Sequence, residues 1–294
     1  MAGAVLHLPA EQREQALAAY RAAVAAKRHR LFLGLAILGI ALGLAGVVGE
    51  VDLAKFYANI HRLPNYIWNI TPLLSWASLG ADVAEWFWNL KDWLRLLVDT
   101  LLIAYLGTLI GVIGAFALCF SATANLEKHG LVRFVIRRCL EFCRSVPEIV
   151  FALLFVVAFG LGPMPGVLAL AIHTLGALGK QFAEVVENID MKPVEGAIAT
   201  GASRVLTIRF AVLPQVMSNF ASYALLRFEI NVRGAAVMGF VGAGGIGQDL
   251  MEAVRKFYYS DISAILLLII ATVVIIDLVT ERLRHALIGL EHRR

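Results

Sequence analysis

Long, nearly uninterrupted apolar runs dominate this 294-residue chain and leave few folds open to it. Leu31–Val48, Leu96–Phe120, Ile149–Phe159, Val167–Leu178 and Ile262–Ile276 carry few charges or none. About 20 helical residues cross roughly 30 Å of hydrocarbon, and several of these runs approach or exceed that length. The chain is 60% hydrophobic and only 16% charged, too little charge to wet the surface of a soluble protein of this size. The sequence therefore predicts an all-α, polytopic membrane protein of about six transmembrane helices.

Residues 1–30 precede the first run, are Ala-rich and charged, and show no cleavage-site pattern after the apolar stretch. They are expected to form a cytoplasmic amphipathic helix, resting on the membrane surface or on a neighbouring helix, or else a solvated leader. Residues 31–48 make the first span. Residues 49–93 hold all five tryptophans (Trp68, Trp76, Trp86, Trp88 and Trp93), and indole rings favour the membrane boundary. This stretch is expected to lie along the outer, periplasmic face as short interfacial helices broken at Pro64 and Pro72. Residues 94–287 form the core and residues 288–294 a cytoplasmic tail.

Charge placement sets the orientation. With six spans and both termini inside, the inner segments hold 18 Lys and Arg against 6 outside, the sense of the positive-inside rule. The same placement makes nucleic acid a poor explanation for the basic residues; the lipid bilayer is the partner they read. Cys119, Cys139 and Cys143 lack metal-ligand spacing and are expected to be reduced packing residues.

The most informative segment lies between the fourth and fifth spans. It reads Glu195-Gly196-Ala197-Ile198-Ala199-Thr200-Gly201, then nine residues, then Ala211-Val212-Leu213-Pro214. Small side chains, Gly196, Ala197, Gly201, Ala202 and Ser203 among them, would let another protein approach the backbone closely. Glu195 near a helix start would be favoured by the dipole, and Pro214 would open the next span. The alternative is an ordinary loop with one helical turn.

This segment resembles the EAA motif of ABC importer permeases at Glu195, Ala197, Gly201, Leu213 and Pro214, with Gly196 and Ala211 departing conservatively. In that family it forms a coupling helix, here residues 193–209, seated in a cleft of the ATPase subunit. Downstream, Gly239-Phe240-Val241-Gly242-Ala243-Gly244-Gly245-Ile246-Gly247-Gln248 is similar to a stretch in permeases of methionine, glycine-betaine and phosphonate importers. It lacks the Lys-Ser/Thr ending of a phosphate-cradling loop. Gly242, Gly244, Gly245 and Gly247 are expected either to bend the chain at an outer gate or to serve a plain turn.

Within the fifth span, Arg227-Phe228-Glu229-Ile230-Asn231-Val232-Arg233 carries charge that must face a pore, a partner or another charge. Glu229 and Arg233 are one turn apart and can pair. Arg227 is then a candidate for a passing anion or for pairing across a dimer, with Asn219, Ser222 and Asn231 adding polar groups to a substrate pathway. Glu148 after Pro147 reads as a helix-start carboxylate or a pathway residue, and His173 as a packing residue.

From about Leu94 to Leu287 the chain looks most like the permease of phosphonate or phosphite importers. The resemblance implies a type I ABC importer fold, like that of the methionine importer, in a bacterial inner membrane. It implies a second copy of this chain, two cytoplasmic ABC ATPases holding ATP and Mg, and a periplasmic phosphonate-binding protein. No catalytic site, metal or cofactor is expected on this chain. Methionine and glycine betaine are the alternative substrates within the class. A channel or secondary transporter is the rival class, but no repeat or filter-like loop supports it.

Overall fold

The computed structural model describes residues 9–72 and 75–291, which divide into two units, 1–66 and 67–294. The described residues are helical with no strand.

In the first unit, α1 (Ala10–Val48) is one unbroken helix of 39 residues, roughly 58 Å long at about 1.5 Å per residue. No break separates the charged leader from the apolar run, because neither Gly nor Pro interrupts residues 10–33. Residues 1–8 of that leader lie outside the described residues. Two short helices follow, α2 (Leu53–Asn59), capped by Asp52 at 2.9 Å from Lys55 N, and α3 (Arg62–Ile70), which runs across the division.

The second unit contains α4 (Leu79–Trp86), α5 (Leu90–Ala122), α6 (Gly130–Ser145), α7 (Glu148–Phe159), α8 (Pro163–Glu187) and α9 (Met191–Ala199). It continues with α10 (Arg204–Thr207), a π turn (Ile208–Val212), α11 (Leu213–Met238), α12 (Gly247–Lys256) and α13 (Tyr259–Glu291). Among the described residues, three helical stretches, 13–48, 90–122 and 259–286, are long and apolar enough to cross a membrane alone. α6 and α7 qualify only as a pair, bent by 86°. Pro147 causes the break: it lacks an N–H and drives Val146 into extended geometry (ψ 123°). The crossing built from α6 and α7 is therefore broken at Pro147. α7, with 12 residues, covers only about 18 Å.

α8 and α11 are long but more polar, because other helices cover them. α8 packs along α5 through a seam of small residues. A Cβ on Gly107 would lie 2.6 Å from Leu170 Cβ, and one on Gly111 2.5 Å from Thr174 Cβ. Gly176 and Gly179 give α6 the same close approach to α8, the small-residue logic of helix packing in lipid. At one end of the bundle Phe182 and Phe220 stack with centroids 4.0 Å apart among Cys119, Phe120, Leu140 and Val212. At the other, Trp93 is buried with Leu97, Ile246, Leu250 and Ile265. Trp86 Nε1 donates to Ser263 Oγ at 3.0 Å and Trp88 Nε1 to Asp261 Oδ1 at 3.0 Å. These three indoles pin the start of α13, whereas Trp68 and Trp76 are exposed. Cys139, expected to pack, is exposed; Cys119 and Cys143 are buried.

Candidate functional site

The Glu195 segment forms α9, a nine-residue helix at the bundle end that carries the Phe182–Phe220 cluster. Its start is set by Asp190, whose Oδ1 accepts from Lys192 N at 3.0 Å, an ordinary N-cap. Its end is set by Gly201. Gly201 N donates to Ile198 O at 2.9 Å and Ala202 N to Ala197 O at 3.2 Å, the paired bonds of a Schellman stop. Gly201 takes φ +83° there, a conformation costly for any residue with a Cβ. The six-residue spacing from Glu195 to Gly201 is thus the spacing of a helix to its terminator.

One side of α9 is anchored and the other is free. Val194 is fully buried in the Phe182–Phe220 cluster, a burial of the kind that stabilises by roughly 1.5–3 kcal/mol. Glu195, Gly196, Ile198, Ala199, Thr200, Gly201 and Ser203 are exposed, and Ala197 and Ala202 half-buried. A Cβ on Gly196 or on Gly201 would meet nothing within 4 Å. Glu195 is the fifth residue of the helix, beyond the first turn where the dipole acts. Its expected role as a helix-start carboxylate does not hold.

Pro214 is the second residue of α11, the start expected of it, but no break in the helical path precedes it. The helical path runs on from Arg204 through α10, the π turn and α11. Leu213 N bonds Ile208 O, five residues back, immediately before Pro214. The wider turn accommodates a residue that has no N–H and would crowd the preceding turn. Leu213 is half-buried and Ala211 buried.

Polar ties that the sequence did not reveal hold the start of α9, α10 and the loop after α5 to the bundle. Gln215 Oε1 accepts from Asp190 N at 3.0 Å, and its Nε2 donates to Asp190 O at 3.2 Å. Arg204 Nη2 lies 2.7 Å from Glu127 Oε2. Glu127 Oε1 also accepts from His129 N at 3.0 Å, and that bond, followed by Arg204, brings its carboxyl down to about 2. Glu187 accepts from Ala124 N at 2.6 Å and pairs with Arg137. Asn125 Nδ2 donates to Val186 O at 2.8 Å. Beside α9, Glu184, Asn188, Asp190, Gln215, Asn219 and Tyr223 line a cleft of about 550 Å³.

The other candidate residues lie apart from α9. Asn219 is exposed on that cleft and Ser222 is buried. Asn231 is 1% exposed, and its Nδ2 donates to Thr108 Oγ1 and Thr174 Oγ1, both at 2.8 Å. It ties α5, α8 and α11 together inside the chain instead of facing an open path, because two hydroxyls meet it there. Glu229 pairs with Arg233 as expected and also with Arg284 at 3.3 Å. Arg227 lies against His173 Nδ1 and Thr174 Oγ1.

The glycine loop turns back at the opposite end. Gly242, Gly244 and Gly245 take φ of +81°, +88° and +80°, which only glycine adopts readily. Ile246 N donates to Thr100 Oγ1 at 2.9 Å, and Gly162 N to Gly242 O at 3.0 Å. A Cβ on Gly247 would lie 2.1 Å from Ala236 O, so the loop is packed onto α5, α8 and α11.

A helical bundle with apolar helices of membrane-crossing length and a short helix seated at one end is an integral membrane protein. Residues 107–288 match the family model of the binding-protein-dependent transport system inner membrane component, and the chain belongs to that family. It is 39% identical over 277 residues to the phosphite transport system permease protein PtxC of Stutzerimonas stutzeri, covering 94% of this chain and 95% of that one. It is 40% identical over 193 residues to the phosphate-import permease protein PhnE of Mycolicibacterium smegmatis, covering 66% of this chain and 36% of that one. The fold is similar to a chain of the inward-facing MetNI methionine ABC transporter, with a TM-score of 0.57 at 18% identity over 66% of this chain and 95% of that one.

Proposed function

We propose that this chain is the permease subunit of an ATP-driven importer, forming with a second copy the path for a phosphonate-type oxyanion: phosphonate, phosphite or a phosphate ester. The substrate class is supported by the relative that covers nearly the whole chain, a phosphite permease. The chain performs no ATP chemistry; ATP and Mg belong to two cytoplasmic ATPase subunits, and a periplasmic binding protein delivers the anion. The positive-inside bias supports both termini and α9 on the cytoplasmic side.

The observation that carries the reading is α9 itself, exposed along Glu195–Gly201 yet tied at its start to α11 and, through Arg204 beyond its end, to the loop after α5. A helix seated this way transmits a push as a rigid body, since Val194 is buried in the cluster built from α5, α8 and α11 and Gln215 ties its start to α11. ATP-driven closure of the partner subunits would then move both copies and alternate access to the path. The cleft lined by Asn219 and Gln215 supports an inner mouth beside α9. The φ-positive glycine loop supports an outer bend.

Gly196 is the place to test it, because its missing side chain faces open space. Gly196→Arg should leave the chain folded and inserted while abolishing ATP-dependent uptake in the reconstituted importer. Normal uptake by that variant would exclude α9 as the docking element.

A further inference from the structure

Charge at the middle of a span needs compensation, because hydrocarbon solvates it poorly. One cluster in this bundle supplies its own: Glu229 faces Arg233 and Arg284, and Asp277 lies 3.7 Å from Arg233. The other cluster supplies it only at a distance, through Glu148. Arg227, near the middle of α11, donates to His173 Nδ1 and, from Nε at 3.4 Å, to Thr174 Oγ1. Among the described residues it forms no ion pair with a carboxylate. A guanidinium donating to Nδ1 makes that nitrogen the acceptor, which places the ring proton on Nε2 and leaves His173 neutral. Arg227 therefore makes its hydrogen bonds to two neutral acceptors, while the Glu148 carboxylate acts on its charge only through space.

Glu148, in the first turn of α7, stands 3.7 Å from the same His173 nitrogen, and its side chain is 36% exposed. A carboxylate this open, beside the middles of α8 and α11, cannot face lipid. This side of the three helices faces water or the second copy.

We propose that Arg227 and His173 form an oxyanion contact inside the translocation path, with Glu148 limiting how long the anion is held. This rests on the importer reading above. A tetrahedral oxyanion presents several acceptor oxygens, so it replaces His173 Nδ1 as the acceptor for Arg227 in a charge-assisted, two-point contact. Glu148 repels the arriving anion and re-engages the cluster when it leaves, which suits a site that must release its cargo.

The test uses the complete importer in proteoliposomes, following uptake of labelled methylphosphonate and ATP hydrolysis stimulated by the loaded binding protein. Arg227→Gln should lower uptake by about tenfold or more while stimulated hydrolysis stays near wild type. Arg227→Lys, which keeps the charge but not the fork, should fall between. Glu148→Gln should leave more methylphosphonate bound to the washed complex. Wild-type uptake by Arg227→Gln would overturn the site alone. Uptake and hydrolysis falling together, in a variant of normal melting behaviour, would make the cluster structural and overturn it too. If Arg227→Gln does not fold, the same split must appear in Arg227→Lys. A wild-type importer that ignores methylphosphonate, phosphite and phosphate would sink the substrate reading and this site with it.

Discussion

Glu127, in the loop after α5, and Arg204, the first residue of α10, meet at 2.7 Å across 77 residues of chain. Their contact closes the segment that carries α9 back onto the bundle. Glu127 is 5% exposed, and Arg204 Nη2 also donates to Phe120 O at 3.3 Å.

Acid should weaken this tie in a definite sense. The Glu127 carboxyl is held at about 2, below its ordinary 4.5, by the His129 N–H and Arg204. A lowered folded value contributes stability that is complete above 4.5 and lost as pH falls from there toward 2. Glu127→Gln should therefore lower the melting temperature near neutrality by a few degrees and flatten its fall below pH 4.5. A parallel fall in wild type and variant would remove Glu127 from the account.

Gly201 and Gly196 should respond differently to alanine. At φ +83° a Cβ strains the backbone, and Gly201→Ala should cost about 1–2 kcal/mol locally. Faster proteolysis between α9 and α10 would report it. Gly196→Ala lies in a helix with open space around it and should be neutral or slightly stabilising.

Gln215→Ala removes two bonds to the backbone of Asp190. Loss of each is worth about 1 kcal/mol. Hydrogen exchange at the start of α9 should accelerate while exchange in α5 and α8 stays unchanged. Uptake should drop with the chain still inserted, since the helix then moves partly independently of α11.

Asn231→Ala should destabilise the bundle by about 1–3 kcal/mol, because Thr108 and Thr174 each lose a buried donor. Asn231→Asp should be worse, since it brings a carboxylate where the two hydroxyls expect an amide. Melting of the purified chain measures both. An Asn231→Ala protein as stable as wild type would return the residue to the list of pathway candidates.

The sequence alone determined what depends on neighbours along the chain. Apolar run length specified membrane-crossing helices, the glycines from 242 to 247 marked a bend or turn, and Glu229–Arg233 could be paired because one helical turn joins them. The Glu195–Gly201 segment was legible for the same reason: a helix and its left-handed terminator are local. Only the tertiary structure decided which distant groups meet. Glu127 finds Arg204, Gln215 finds Asp190, Arg227 finds His173, and Asn231 turns inward to Thr108 and Thr174. Each pair is joined across 25 to 123 residues, where helix rotation and close packing at Gly107 and Gly111 set the partner. Local backbone preference specifies where a helix starts and stops, whereas which face it buries is settled by the helices packed against it.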